Sequence, residues 1–269
     1  MPTPAADALG RNHALAAADA DLLLRDAEQP FSGWDFSYIS ATGRMVEAPL
    51  PWSYVSIALP AVRRAQALLD MGTGGGELLS RLAPLPPISH ATEGWPPNVA
   101  VASERLAPLG VQLHAIAEDD QLPLPDACVD LVLNRHESFD PAEVARVLQP
   151  GGLFITQQVG GDNDSELHTL LGDDTPAPFA HWRLQYAVDD LLARAPGAFD
   201  VRQRREVHTT TRFHDVGALA WYLQVAPWEF ADFSVERYRP QLHAIHARIE
   251  RDGWLDVTCH RFLIVARRV

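Results

Sequence analysis

Residues 66–77 read Gln-Ala-Leu-Leu-Asp-Met-Gly-Thr-Gly-Gly-Gly-Glu, and this stretch decides the fold. An apolar run ends at Asp70 and Met71, after which glycines stand at 72, 74, 75 and 76. Leu78, Leu79 and Leu82 then supply the apolar stripe of a helix. A strand that breaks into a glycine turn and opens into a helix lets backbone approach a ligand closely, with free N–H groups facing it. The spacing narrows the ligand. A dinucleotide fingerprint wants glycine at the first, third and sixth positions, and the sixth position from Gly72 is Glu77. A phosphate-gripping P-loop needs a lysine after its last glycine, and this chain contains no lysine.

Strand-like and helix-like segments alternate outward from this turn. Apolar strands are expected at 67–71, 88–92, 111–116, 129–134 and 152–158, with helices at 76–83, 97–107 and 140–148. Pro97 suits a helix first turn, where its missing N–H costs nothing. This alternation predicts right-handed crossovers and an α/β, doubly wound, mostly parallel sheet. Upstream, residues 5–28 read as an amphipathic helix, residues 30–56 are irregular and aromatic, and a helix is expected at 53–66. Downstream, a polar excursion at 160–180 precedes a helix at 181–195 and a strand near 199–207. Two helical stretches within 213–252 and a closing strand at 256–266 follow. With no repeat or evident linker, the expectation is one domain over 1–269. It comprises an N-terminal cap (1–55), a ligand-binding core (56–160) and a substrate-side elaboration (161–269).

Composition limits the function. The net charge is −13 and all 22 basic residues are arginine. Such a chain repels phosphate backbones, and the missing lysine removes Schiff-base chemistry. Cys128 and Cys259 lie far apart in apolar runs, as buried free thiols do. The N-terminus carries acids at 7, 19 and 21 without a long apolar core, and no run of 18 apolar residues occurs. The expectation is a soluble cytoplasmic protein. His208, His214, His243 and His246 show no metal-ligand spacing, so no metal site is expected.

In an open α/β sheet the ligand lies beyond the carboxyl ends of the strands. Four such ends carry candidates. Asp70, Gly72, Thr73 and Gly74 follow the first strand. Glu93, Gly94 and Trp95 follow the second, about twenty residues on, where a carboxylate accepts from ribose hydroxyls. Glu118 and Asp119 follow the third, and Asn134, Arg135, His136 and Glu137 the fourth.

The successive segments LDMGTGGGE, ATEGWPPN, AEDDQLPLPDACVDLVLNRHE and EVARVLQPGGLFITQQVG resemble, in order and spacing, the motifs of class I S-adenosylmethionine-dependent methyltransferases. The small-molecule branch that includes quinone-type methyltransferases is nearest. The resemblance covers about residues 60–160. It implies a Rossmann-like sheet of seven strands whose last two form an antiparallel hairpin, with the 256–266 strand beside the 152–158 strand. An N-terminal helical cap and a helical insertion before the last strand complete it. It also implies S-adenosyl-L-methionine as cofactor, Glu93 as the ribose acid and Glu118 as the adenine-contacting acid. Where the family often has Gly-Asp-Ala, this chain has Ala117-Glu118-Asp119.

Methyl transfer from a sulfonium depends on alignment more than on acid–base machinery. Should the acceptor need to lose a proton, His136 is the candidate base, with Glu137 to orient or replace it. The expected partner is a small, aromatic or apolar acceptor rather than nucleic acid or a membrane. The alternatives are an RNA or protein methyltransferase, served by Arg194, Arg202, Arg204 and Arg205, and a cofactor-binding protein without methyl transfer. Trp34, Trp52, Trp221 and Trp228 are expected to wall an acceptor pocket above the strand ends.

Overall fold

The computed structural model describes residues 19–32, 34–117, 121–172, 179–227, 230 and 233–269. In chain order its main elements are β1 (Met45–Glu47), α1 (Tyr54–Val62), β2 (Ala67–Met71), α2 (Glu77–Arg81), β3 (Ile88–Glu93), α3 (Pro96–Leu106) and β4 (Gln112–Ala115). They continue with β5 (Val129–Arg135), α4 (Pro141–Val147), β6 (Leu148–Val159), α5 (Ser165–Leu171) and α6 (Leu184–Arg194). β7 (Phe199–Phe213), α7 (Val216–Val225), α8 (Val235–Asp252) and β8 (Leu255–Arg268) close the chain.

These strands form one sheet in the order β1-β7-β8-β6-β5-β2-β3-β4. The five strands from β2 to β6 pair in parallel, and β8 runs antiparallel to both β6 and β7. The doubly wound α/β expectation holds, with two differences. Met45–Glu47 pairs with β7 and adds an eighth strand at the edge. β7 and β8 are antiparallel neighbours over their whole lengths, from Phe199↔Arg268 to Phe213↔Leu255. They are nevertheless not a tight hairpin, because α7 and α8 connect them.

Burial on both faces explains why the parallel strands read as unbroken apolar runs. Successive residues of a strand point to opposite faces, so Leu69 packs with Val132, Phe154 and Val188 on one side. Leu68 packs with Tyr54, Ala58, Leu131 and Leu106 on the other. A third apolar cluster joins Leu24, Ile39, Phe213, Trp221 and Leu242, and so fastens the N-terminal segment to α7 and α8. Arg44 reinforces that junction. It pairs with Asp215, the N-cap of α7, at 2.6 and 2.8 Å and with Asp26 at 2.5 Å. Trp221 Nε1 donates to the Gln29 carbonyl at 3.2 Å. No helix of the described residues is long and apolar enough to cross a membrane.

Candidate cofactor and acceptor site

The parallel strands bring Asp70, Glu93 and Arg135 to one edge of the sheet, in the registers Asp70↔Leu133, Glu93↔Ala115 and Arg135↔Gln157. The turn after β2 is built without side chains because there is no room for them. Gly72, Gly74 and Gly76 all adopt positive φ, at +63°, +62° and +79°. A Cβ on Gly72 would overlap Cγ of Glu137, and one on Gly74 would meet the Trp34 ring. Gly72 N–H donates to Thr92 Oγ1 at 3.3 Å and Thr73 N–H to the Thr92 carbonyl at 2.9 Å, which fastens the turn to β3.

Glu93 ends β3 and is 2% exposed. Its Oε1 accepts from the Trp95 backbone N–H at 2.8 Å, while Oε2 is buried without a hydrogen-bond partner. Burial pushes its pKa up, and the N–H groups of Trp95 and Gly74, the Asn98 side chain and the Gly94 N–H offset part of that rise. Two further buried groups lack a well-aligned partner, Thr73 Oγ1 and the Asn98 side-chain amide. Asn98 escapes a reading of the sequence. It follows two prolines on the first turn of α3, where a polar side chain looks like an ordinary surface residue.

Asp70 is 6% exposed, and its carboxyl is pushed up to about 7 by burial, with the nearby Glu93 charge adding to the rise. Between the unfolded value near 3.8 and about 7 the folded protein therefore holds a proton that the unfolded chain has released. Stability should fall as pH rises through that window, by up to about 4 kcal/mol if the full shift is expressed. In Asp70→Asn that loss should vanish from denaturation curves taken at each end of the window. An unchanged slope would show that Asp70 does not carry it.

The fourth strand end is organised by amides. Asn134 Oδ1 accepts from Thr156 Oγ1 at 2.8 Å and Gln158 Nε2 at 2.6 Å, and its Nδ2 donates to the Ser138 carbonyl at 3.2 Å. The side chain expected to touch the cofactor is thus spent on bracing the turn after β5. His136 sits at φ +62° with its backbone N–H on the Gln157 carbonyl. Gln157 settles its tautomer. The indole N–H of Trp52, a donor only, points at Gln157 Oε1 at 2.9 Å, which turns Gln157 Nε2 toward His136 Nε2 at 3.1 Å. His136 Nε2 is then the acceptor, and its proton lies on Nδ1. The residue is exposed, yet surrounding protein and then the Arg135 and Arg261 charges hold its pKa well below the ordinary value. Glu137 packs against Gly72, and its Oε1 accepts from the Ser138 N–H at 3.1 Å.

Aromatic side chains roof the glycine turn. Trp34 lies on Gly74, with Trp95 at 5.8 Å and Phe31 at 5.8 Å between ring centres. Of the four tryptophans expected above the strand ends, Trp34 covers the turn and Trp52 reaches the His136–Gln157 pair. Trp221 is buried as glue between α7 and the N-terminal segment. Trp228 lies outside the described residues, as do Glu118 and Asp119. A histidine–carboxylate group that sequence spacing does not indicate, Asp162, His208 and His260, comes together with its ligand atoms within 4.8 Å. Those atoms are already engaged. Asp162 pairs with Arg183 and His208, His260 Nδ1 accepts from the Asp162 N–H, and His260 Nε2 faces Glu206.

A family described as methyltransferase domain matches residues 69–156, the span from β2 to β6 that carries the glycine turn and Glu93. Residues 69–156 are thus similar to a methyltransferase domain. A malonyl-[acyl-carrier protein] O-methyltransferase of a Marinomonas species is 29% identical over 140 residues, which is 44% of this chain. The match spans about half, 52%, of that relative's length. Among solved structures, a Bacillus halodurans protein described as a methyltransferase superposes with a TM-score of 0.58 at 16% identity, over 80% of this chain and 98% of its own. The YcgJ protein of Bacillus subtilis gives 0.52 at 17% identity, over 80% and 97%. At these identities the two structures speak for the fold alone.

The pocket side chains suit the cofactor of that family. S-adenosylmethionine has a ribose diol that needs an acceptor, and Glu93 Oε2 is a buried acceptor without a donor. At Gly72 and Gly74 the space a side chain would take is held by Glu137 and Trp34, so the turn presents bare backbone beside Glu93.

Proposed function

We propose that the protein is an S-adenosylmethionine-dependent methyltransferase acting on a small aromatic or apolar acceptor. The observation that carries this reading is Glu93, whose buried Oε2 waits for a donor beside a turn that excludes side chains. When bound, S-adenosylmethionine supplies an activated methyl group with a neutral leaving group. Glu93 holds the ribose, the glycine turn admits the methionyl part, and Trp95 beside Trp34 gives an aromatic surface for the adenine. Trp34 and Trp52 exclude water on the acceptor side, where alignment supplies most of the rate. Calorimetry with S-adenosylmethionine, followed by an acceptor screen reading S-adenosylhomocysteine release, tests the reading. Absence of cofactor binding would overturn it.

The basic strip that would serve an RNA or protein substrate is partly neutralised, with Arg194 paired to Asp140 and Arg202 to Asp200. His136 in the observed state offers no free lone pair at Nε2, and its lowered pKa keeps it neutral. Once an acceptor is found, the rate should show no inflection near pH 6.5. An inflection there that disappears in His136→Gln would instead establish the histidine as general base.

A further inference from the structure

Two arginines meet at the strand ends on the acceptor side, and only one has its charge answered. Arg261 of β8 is 8% exposed and fully employed. It donates to Asn163 Oδ1 at 2.6 Å, to the His260 carbonyl at 3.0 Å and to Glu47 Oε1 at 2.8 Å. The side chain of Arg135, the last residue of β5, donates no hydrogen bond and forms no ion pair among the described residues. Its neighbours Tyr54, Glu47 and Asp70 favour the charge through space, but none forms an ion pair with it. Glu47 is taken by Arg261, Asp70 is half protonated near neutral pH, and Tyr54 is a buried phenol whose pKa burial raises.

Depth makes this absence costly. Arg135 and His136 are exposed between the buried Asn134 and Phe139, yet protein surrounds the guanidinium enough that burial is the main influence on its pKa. Guanidinium does not deprotonate at working pH, so this strand end keeps a permanent, partly desolvated positive charge that is still open to solvent. Such a charge is destabilising until an anion meets it. A planar carboxylate matches its fork of donors.

We propose that Arg135 is the binding site for a carboxylate carried by the methyl acceptor. This rests on the methyltransferase reading and narrows its substrate class to aromatic or apolar acids. The carboxylate is a handle that holds the acceptor in line, not an acid–base participant.

Benzoate, its neutral counterpart benzamide and phenyl phosphate are suitable probes, each titrated by calorimetry into protein saturated with S-adenosylhomocysteine. Benzoate should bind and benzamide should not. Arg135→Met should bind benzoate about 10- to 100-fold more weakly, the loss expected for charge-assisted bonds. Arg135→Lys, which keeps the charge but not the fork, should fall between. Affinity for S-adenosylhomocysteine should be unchanged in both variants, which also shows that they fold. Equal binding of benzoate and benzamide, preference for phenyl phosphate, or undiminished benzoate binding by Arg135→Met would each overturn the proposal. A drop in S-adenosylhomocysteine affinity in the variants would also overturn it, by assigning Arg135 to the cofactor's own carboxylate. If the unmodified protein fails to bind S-adenosylhomocysteine at all, the methyltransferase reading falls first and this inference with it.

Discussion

Gly72→Val should abolish measurable S-adenosylmethionine binding while leaving the protein folded. Valine at φ +63° is strained wherever it sits, at roughly 1–2 kcal/mol for the left-handed region and more for a branched side chain. Here its Cβ would also overlap Cγ and lie 2.5 Å from Cβ of Glu137, atoms close to the backbone that cannot swing away. Overpacking of that kind costs about 1–3 kcal/mol. The sum, about 3–5 kcal/mol, is smaller than the stability of most domains, so the turn should shift rather than the fold collapse. A shifted turn no longer presents its backbone to the ligand. Gly110 provides the control. It has φ +74° and open space, with nothing within 4 Å of where a Cβ would stand, so Gly110→Val should cost only the backbone strain and bind normally. Calorimetry and denaturation on both variants separate the two effects. Normal binding by Gly72→Val would reduce the turn to a structural device.

Much of this architecture is readable from residues 66–159 because local rules and tertiary structure agree there. Glycine turns, apolar runs of strand length and prolines at a helix start each have one good structural solution, and β2 to β6 adopt it. What escapes reading depends on contacts distant in sequence. Met45–Glu47 is three residues long, and only pairing with β7 makes it a strand. β7 extends to Phe213, past the expected end near 207, because β8 offers a partner along its whole length. At the site, Glu93 is legible from its strand-end position, whereas the spending of Asn134 on Thr156 and Gln158 is not. The tautomer of His136 depends on Trp52, eighty-four residues away in the chain, acting through Gln157. Arg135 is legible in the stretch LVLNRHE as a candidate at the fourth strand end, but without a role. Its significance is the absence of a partner, and only three dimensions reveal an absence.

Glu93→Ala is expected to weaken S-adenosylmethionine binding by about 10²- to 10⁴-fold with little loss of stability. In the folded protein Glu93 is buried and its pKa is raised, so the carboxylate is held at a cost. Its one well-formed bond, from Trp95 N–H to Oε1, returns only part of that cost. Removing the side chain deletes a desolvated charge along with one acceptor, and the two contributions to folding oppose each other. Binding has no such compensation. Two ribose hydroxyls donating to an ionised carboxylate contribute roughly 1.5–3 kcal/mol each, which gives the range stated. Glu93→Gln preserves shape and one acceptor oxygen but not the charge, so it should lose less than alanine does. Affinity of the unmodified protein should fall as pH drops through the raised pKa, because protonation replaces an acceptor by a donor, and both variants should lack that dependence. S-adenosylhomocysteine carries the same ribose and should show the same ratios. Alanine and glutamine variants that bind both ligands as the unmodified protein does would remove Glu93 from the cofactor site and, with it, the observation on which the functional reading rests.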